Sequence, residues 1–380
     1  MILSVSRRTD IPAFFSDWFF EKIADGFVLV PNPINQVKIA KIKLEPTKIE
    51  SIETNLLGDK KIEMQGNVEG VVFWTKNPKP MIDKFEKYQE NCKNFAKNQQ
   101  KNDNFKQISF KNNQDSQSQA EKGLSIFIEN LLPATYFLYT LNPYPKHIEA
   151  NLPSLEERIE SFKKLSKYCP VIWRYDPILL ADGIDAEWHK KQFEKLCKEL
   201  NSYTKHCKIS FVIETYKGCS NTVHAPNESQ KHEILSAFSK IAKENNIQIE
   251  ACAESGDWSE YNILPSKCID GEIFEQLLSQ KYENQGIVAR RKNNKLDGQR
   301  KNCGCMPAID IGRYDTCRHG CNYCYARKST PKSMLDEPVG EIYERKTELE
   351  FEYKDENEVL TSIAKNILNE HKKAFEEPAN

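Results

Sequence analysis

Tyr136-Phe137-Leu138-Tyr139, the stretch 155–168, and Val171-Ile172-Trp173 together decide the fold. The first and third are short apolar runs. Each gives way to polar residues, Thr140 and Asn142 after one, Arg174 and Asp176 after the other. The stretch between them carries a helical pattern. Strand, helix and strand in that order make a parallel pair joined by a crossover. Runs that are apolar nearly throughout belong to strands buried on both faces.

The same unit recurs along the chain. Apolar runs at 2–5, 71–74, 209–213 and 247–251 precede Arg7-Arg8-Thr9-Asp10, Thr75-Lys76-Asn77, Glu214 and Glu254 in turn. Helical patterns at 186–200 and 230–245 lie between the later ones. The expectation is an α/β domain with a parallel sheet. A (β/α) barrel or partial barrel would gather the polar strand ends on one face, where barrel enzymes keep their chemistry. A doubly wound open sheet is the competing arrangement. Residues 26–31 and 36–44 read as a β-hairpin after the first helix. Residues 93–121, rich in Asn, Gln, Lys and Ser, read as a disordered or loosely helical insertion. Residues 328–354 read as a polar linker, and 355–376 as an amphipathic C-terminal helix. The domain is thus expected to span 1–327, with 328–380 appended.

The chain has 380 residues, with 54 Lys and Arg against 55 Asp and Glu, a formal net charge of -1. That balance leaves no overall electrostatic footprint for duplex nucleic acid. No run approaches the ~18 apolar residues that would span a bilayer, so no membrane partner is expected. In residues 1–8 the charges follow a short apolar run, the wrong order for a secretory signal. The expected location is cytoplasmic.

The 12 cysteines are unevenly spread, and Cys252, Cys268, Cys303, Cys305, Cys317, Cys321 and Cys324 crowd the last third. Without a secretion signal, such crowding favours metal or redox chemistry over disulfides. The sharpest feature is Cys317-Arg318-His319-Gly320-Cys321-Asn322-Tyr323-Cys324, a C-x3-C-x2-C spacing. Three thiolates on one loop can each take one iron of a cubane and leave one corner open, whereas four suit plain electron transfer. Gly320 would let the loop turn tightly. A zinc site with one remote ligand is the competing reading. Cys252, Cys268, Cys303 and Cys305 are candidates for a second iron–sulfur cluster or a zinc.

The run Tyr314-Asp315-Thr316-Cys317-Arg318-His319-Gly320-Cys321-Asn322-Tyr323-Cys324-Tyr325-Ala326-Arg327 resembles the cluster loop of radical S-adenosylmethionine enzymes, closest to the spore photoproduct lyase-like branch. The resemblance implies that Cys317, Cys321 and Cys324 bind [4Fe-4S], with Tyr323 beside the adenine of S-adenosylmethionine. It implies that the methionine amino and carboxylate groups chelate the fourth iron. One-electron reduction, from a donor such as flavodoxin or ferredoxin, would then release a 5'-deoxyadenosyl radical. It also favours the barrel over the open sheet. Such enzymes carry the cysteine loop after the first strand, so here it would be permuted to the C-terminal side. They also hold the methionine amino group with a Gly-Gly-Glu-like segment, and this chain has no adjacent Gly-Gly pair.

A longer resemblance runs through Ser4-Val5-Ser6-Arg7-Arg8-Thr9-Asp10, Phe73-Trp74-Thr75-Lys76-Asn77-Pro78, Trp173-Arg174-Tyr175-Asp176-Pro177, Ala251-Cys252-Ala253-Glu254, Cys268-Ile269-Asp270 and Cys303-Gly304-Cys305. With the terminal loop, these resemble the domain-of-unknown-function family numbered 1848, regarded as radical-SAM-like. That family implies no substrate.

Several strand-end residues are candidate cofactor contacts. Arg7 is suited to a carboxylate or phosphate, with an Arg7–Asp10 or Arg8–Asp10 pair as the structural alternative. Lys76 and Asn77 stand where the amino-holding segment would be, and Asn77 can accept through its side-chain oxygen. Arg174 and Asp176 suit either a site wall or a mutual ion pair. Glu214 and Glu254 suit ribose hydroxyls or proton transfer. His319 is expected to bond the loop backbone or a cluster sulfur. A basic stretch at Arg290, Arg291, Lys292, Lys295, Arg300 and Lys301 is the weak pointer to nucleic acid. The competing functions are a non-enzymatic iron–sulfur protein, its cluster closed by Cys303 or Cys305, and a zinc-stabilised nucleic-acid-binding protein.

Overall fold

The structure is a computed structural model and describes residues 1–31, 39–54, 60–100, 118–252, 256–282 and 303–327. The chain opens with β1 (Ile2–Val5), α1 (Ile11–Phe14) and α2 (Ser16–Asp25). Two antiparallel hairpins follow, β2 (Phe27–Pro31) with β3 (Ile39–Lys43), and β4 (Lys48–Thr54) with β5 (Lys60–Gln65). Then come β6 (Gly70–Thr75), α3 (Lys79–Gln100), α4 (Gln119–Asn130), β7 (Thr135–Thr140), α5 (Leu155–Leu165) and β8 (Val171–Ile178). The rest is α6 (Ala186–Leu200), β9 (His206–Phe211), α7 (Glu228–Glu244), β10 (Gln248–Ala251), β11 (Leu264–Pro265), α8 (Gly271–Lys281) and β12 (Ile309–Asp310).

The central sheet has eight strands in the order β11-β10-β9-β8-β7-β6-β1-β12, and every pairing in it is parallel. From β1 to β11 the order never reverses. With right-handed crossovers, that keeps successive helices on one face, whereas a doubly wound sheet reverses its order and is covered on both. The architecture is therefore α/β with a partial, barrel-like parallel sheet. Its edges, β11 and β12, are not paired with each other among the described residues.

Side chains alternate across each strand. Phe73, Phe137, Trp173 and Tyr175 point to the helical layer and pack with Phe162, Phe193 and Phe238. Phe193 stacks on Phe238 with ring centroids 3.8 Å apart. Ile2, Val72, Tyr136, Leu138 and Ile172 point to the opposite face, where Phe274 and Leu277 of α8 cover them. Both faces are dry, which is why these strands read as continuous apolar runs.

The hairpin expected after the first helix is β2–β3. The second one, β4–β5, has no counterpart in the sequence reading. Of residues 93–121, the first eight continue α3 (Lys79–Gln100). Ser118 begins α4 instead, its hydroxyl accepting from Glu121 N while the Glu121 carboxylate accepts from Ser118 N. This capping box satisfies two otherwise orphaned donors and starts a helix at the end of the stretch read as disordered or loosely helical. Residues 101–117, the linker and helix expected at 328–380, and the basic stretch 290–301 lie outside the described residues.

Candidate functional site

The C-terminal ends of β1, β6, β7, β8 and β9 surround a cavity of about 170 Å³. Residues after β1 (Ser6–Asp10), Lys76, Thr140, Arg174, Asp176 and Ser210 supply its polar wall. The segment 317–326 closes the opposite side with Cys317, His319, Cys321, Tyr323 and Cys324. The loop that ends the described chain thus stands over the strand ends that begin it.

Main-chain bonds hold this loop. Asn151 N donates to His319 O at 3.0 Å, Asn322 N to Ile148 O at 2.9 Å, and Ser220 N to Asn322 O at 2.6 Å. Gly320 has φ 69°, in the left-handed region that the turn between Cys317 and Cys321 needs. At Gly218 a β-carbon would overlap the Cys324 carbonyl, so the loop can lie this close only against glycine.

Two buried carboxylates organise the site. Asp10 accepts from Thr75 Oγ1 at 2.8 Å and Lys76 N at 2.7 Å, and its Oδ2 lies 2.7 Å from His319 Nε2. The histidine expected to serve the loop backbone or a cluster sulfur is instead tied through Nε2 to β1's loop. Its Nδ1 is buried with no hydrogen-bond partner. Glu149, with no side-chain exposure, receives Lys76 Nζ at 2.7 Å, Arg158 NH1 at 3.5 Å and the Tyr323 hydroxyl. Burial pushes its carboxyl up, but Lys76 and Arg158 outweigh that and leave it below the usual range.

Arg7 and Arg8 pair with Asp310 of β12, at 3.6 and 3.0 Å, and not with Asp10 as the sequence alternative had it. The partner lies 303 residues from Arg7 and 302 from Arg8, across a strand pairing that local reading does not reveal. Arg174 pairs with Asp176 and lies over the Trp74 ring at 4.9 Å, with Arg7 over the same ring at 5.9 Å. Arg7, Lys76, Arg174 and Tyr323 therefore meet at one cavity. Asn77 does not line it; its Oδ1 accepts from Lys79 N at 3.3 Å, at the start of α3. Glu214 is exposed and accepts from Ala225 N, away from the cavity wall. Glu254 lies outside the described residues.

A family model described as "Domain of unknown function (DUF1848)" matches residues 2–56 and 127–326. The chain belongs to this family. The matched stretches contain Arg7, Asp10, Glu149, Arg174, Asp310 and the seven clustered cysteines; Trp74 and Lys76 fall between them. No curated protein and no solved structure matches the chain. No described helix is long and apolar enough to cross a membrane.

The donor set at this DUF1848 cavity is three cysteines of one loop, the number that a [4Fe-4S] cluster with one open iron would require. Cys317, Cys321 and Cys324 line it, and no further cysteine is among its lining residues. Burial pushes the Cys317 thiol well up and Cys321 up to about 12. A metal takes thiolates, so binding one at Cys317 and Cys321 would release protons. As the chain stands, no group of three or more His, Cys, Asp or Glu among the described residues is arranged to hold a single metal ion. A cubane makes a different demand, because it takes each thiolate on a separate iron.

The other cysteines converge elsewhere. Cys252 Sγ lies 3.4 Å from Cys268 Sγ, and Cys305 and Cys303 pack in the same buried cluster. Glu149, Asp310 and the Asp10–His319 pair were not singled out as functional from sequence. Each is a lone acidic residue or histidine whose meaning comes from partners far along the chain.

Proposed function

We propose that this chain is an iron–sulfur enzyme of the radical S-adenosylmethionine type. Cys317, Cys321 and Cys324 would hold [4Fe-4S], and the cavity would take S-adenosylmethionine and a substrate. One observation carries the reading: the three thiols of a C-x3-C-x2-C loop share a cavity with Arg7, Lys76 and Arg174 at the C-terminal ends of parallel strands. When bound, the cluster and S-adenosylmethionine supply one-electron reductive cleavage of the sulfonium.

The chain's own residues bind and orient. Arg174 lines the cavity and keeps a buried Nε without a partner, a donor that a carboxylate could take once the guanidinium turns from Asp176. Arg7, on the same indole, adds a second positive charge. Lys76 is held by Glu149 and Tyr323, so it fixes the tyrosine rather than the cofactor. Asp10 fixes the His319 ring, whose unpartnered Nδ1 can bond whatever lies against the loop. Phe211, Val212 and Ile213 form an apolar side that excludes water. Cys303 and Cys305 lie with Cys268 and not on this wall, which favours an open cluster corner over closure by a fourth thiolate. The proposed setting is a low-oxygen cytoplasm with a flavodoxin- or ferredoxin-type donor.

The test is anaerobic reconstitution. Iron and sulfide should load in equal amounts, and dithionite should drive cleavage of S-adenosylmethionine to 5'-deoxyadenosine. Cys321→Ala should lose both. Protein that takes up no iron or sulfide, or a Cys321→Ala variant that keeps its cluster and its cleavage, overturns the reading.

A further inference from the structure

We propose that Cys252, Cys268, Cys303 and Cys305 form a second metal centre, a single zinc-class ion held by four thiolates inside the partial barrel. The cysteines come from different parts of the chain. Cys252 follows β10, Cys268 precedes α8, and Cys303 and Cys305 lie ahead of β12. They nonetheless share one buried cluster: Cys252 Sγ lies 3.4 Å from Cys268 Sγ, Cys305 packs in the same cluster, and Cys303 packs against it.

The Cys252–Cys268 separation suits a single tetrahedral ion. Zinc binds thiolate at about 2.3 Å, which puts tetrahedral sulfurs roughly 3.8 Å apart. The 3.4 Å between Cys252 and Cys268 is close to that edge. Sulfurs on separate irons of a cubane stand well beyond contact. None of the cysteines forms a disulfide. The sulfurs do not yet surround a centre, in keeping with the lack of a ready single-ion site among the described residues. Thiols bonded to one another must lose their protons and turn inward to close on an ion.

The surroundings suit an anionic tetrathiolate. Ile269 N donates to Cys305 Sγ at 3.4 Å, a main-chain bond of the kind that stabilises bound thiolate. Arg7, Arg174 and Lys208 stand nearby, each already paired with a carboxylate, Asp310, Asp176 and Glu250 in turn. Ile2, Val72, Tyr136 and Met306 make the rest of the shell apolar. Arg7 and Arg174 also line the main cavity, so this ion would fix two of its walls.

The test uses the full chain carrying Cys317→Ala, Cys321→Ala and Cys324→Ala together, which removes the proposed cluster ligands. Purified without air, it should retain one zinc per chain. Cobalt(II) in its place should give the ligand-field absorption of a tetrahedral tetrathiolate. Adding Cys268→Ser should raise the cobalt dissociation constant more than about 10-fold, while Cys92→Ser on α3 should leave it unchanged. Should the triple variant fail to fold, zinc content of the wild-type chain before reconstitution, compared with Cys268→Ser alone, gives the same answer. No bound metal, an iron–sulfide chromophore that depends on Cys268, or a Cys252–Cys268 disulfide in the isolated protein would each overturn the proposal. Failure of the loop to take iron would leave this zinc in place, so the two readings fail separately.

Discussion

Glu149 pairs with Cys321 in an isolated β-bridge, and its side chain sets the position of the loop's tyrosine. Its carboxylate is fully buried between Lys76 and Arg158, and Arg158 is itself only 3% exposed. Removing one partner of such a group strands the other charges in a dry site, which costs about 3–5 kcal/mol. Glu149→Ala should therefore lower the free energy of unfolding by that amount in urea titration. A loss under about 1 kcal/mol would show that Lys76 and Arg158 are solvated in the native state. Glu149→Gln keeps the shape and one acceptor for Tyr323, so its loss should be smaller. Buried His189 is the contrasting case: Nδ1 meets the Tyr175 hydroxyl at 2.8 Å, Nε2 meets Leu179 O at 2.7 Å, and burial brings its pKa down to about 4. With both nitrogens used inside the core, it is a packing residue.

Among the elements, α2 and α4 approach most tightly at Gly123, where a β-carbon would overlap the Phe20 carbonyl. Gly123→Ala sets two effects against each other. Alanine recovers about 1 kcal/mol of helix propensity, and overpacking costs about 1–3 kcal/mol or more. The obstructing atom is backbone and cannot rotate away, so the steric effect wins. The variant should unfold at lower denaturant concentration with an unchanged slope; a stabilised variant would contradict the close packing. The α8 helix has a different task. Its Phe274 and Leu277 fill the face of the sheet that the other helices leave uncovered, beside Cys268 and Cys305.

At the scale of the whole molecule, the first strand is joined to the last described one, which forms an edge of the sheet. Leu3 and Ser4 of β1 pair with Ile309 and Asp310 of β12. Asp310 then accepts from Ser4 Oγ, Ser6 Oγ, Arg7 N, Arg8 Nε and Gly312 N, all at 2.8–3.0 Å. Burial would raise its carboxyl, but Arg8 and Arg7 hold it below the usual range. A carboxylate depressed in the native state contributes stability that is fully present above its unfolded pKa, about 3.9. That contribution fades as pH falls through the lower native value. Asp310→Asn should thus be destabilised by about 3–5 kcal/mol near neutrality, and its stability should fall less steeply with acid below about pH 4. Denaturant midpoints across that range check both; parallel pH profiles for the two proteins would rule out the clasp as a charged one.

The sequence by itself determined the alternation of buried strands and helices, because apolar periodicity is a local property that burial imposes on each segment. It also determined the loop that carries Cys317, Cys321 and Cys324, because the spacing lies within eight residues. Only the tertiary structure decided that Arg7 and Arg8 answer to Asp310, that His319 is tied to Asp10, and that Glu149 gathers Lys76, Arg158 and Tyr323. It also decided that Cys252, Cys268 and Cys305 meet, while Asn77 and Glu214 turn aside. These pairings join residues up to some 300 positions apart. A charge or a thiol carries no mark of its distant partner until the sheet brings the two within a few ångströms, where Coulomb attraction and desolvation take effect.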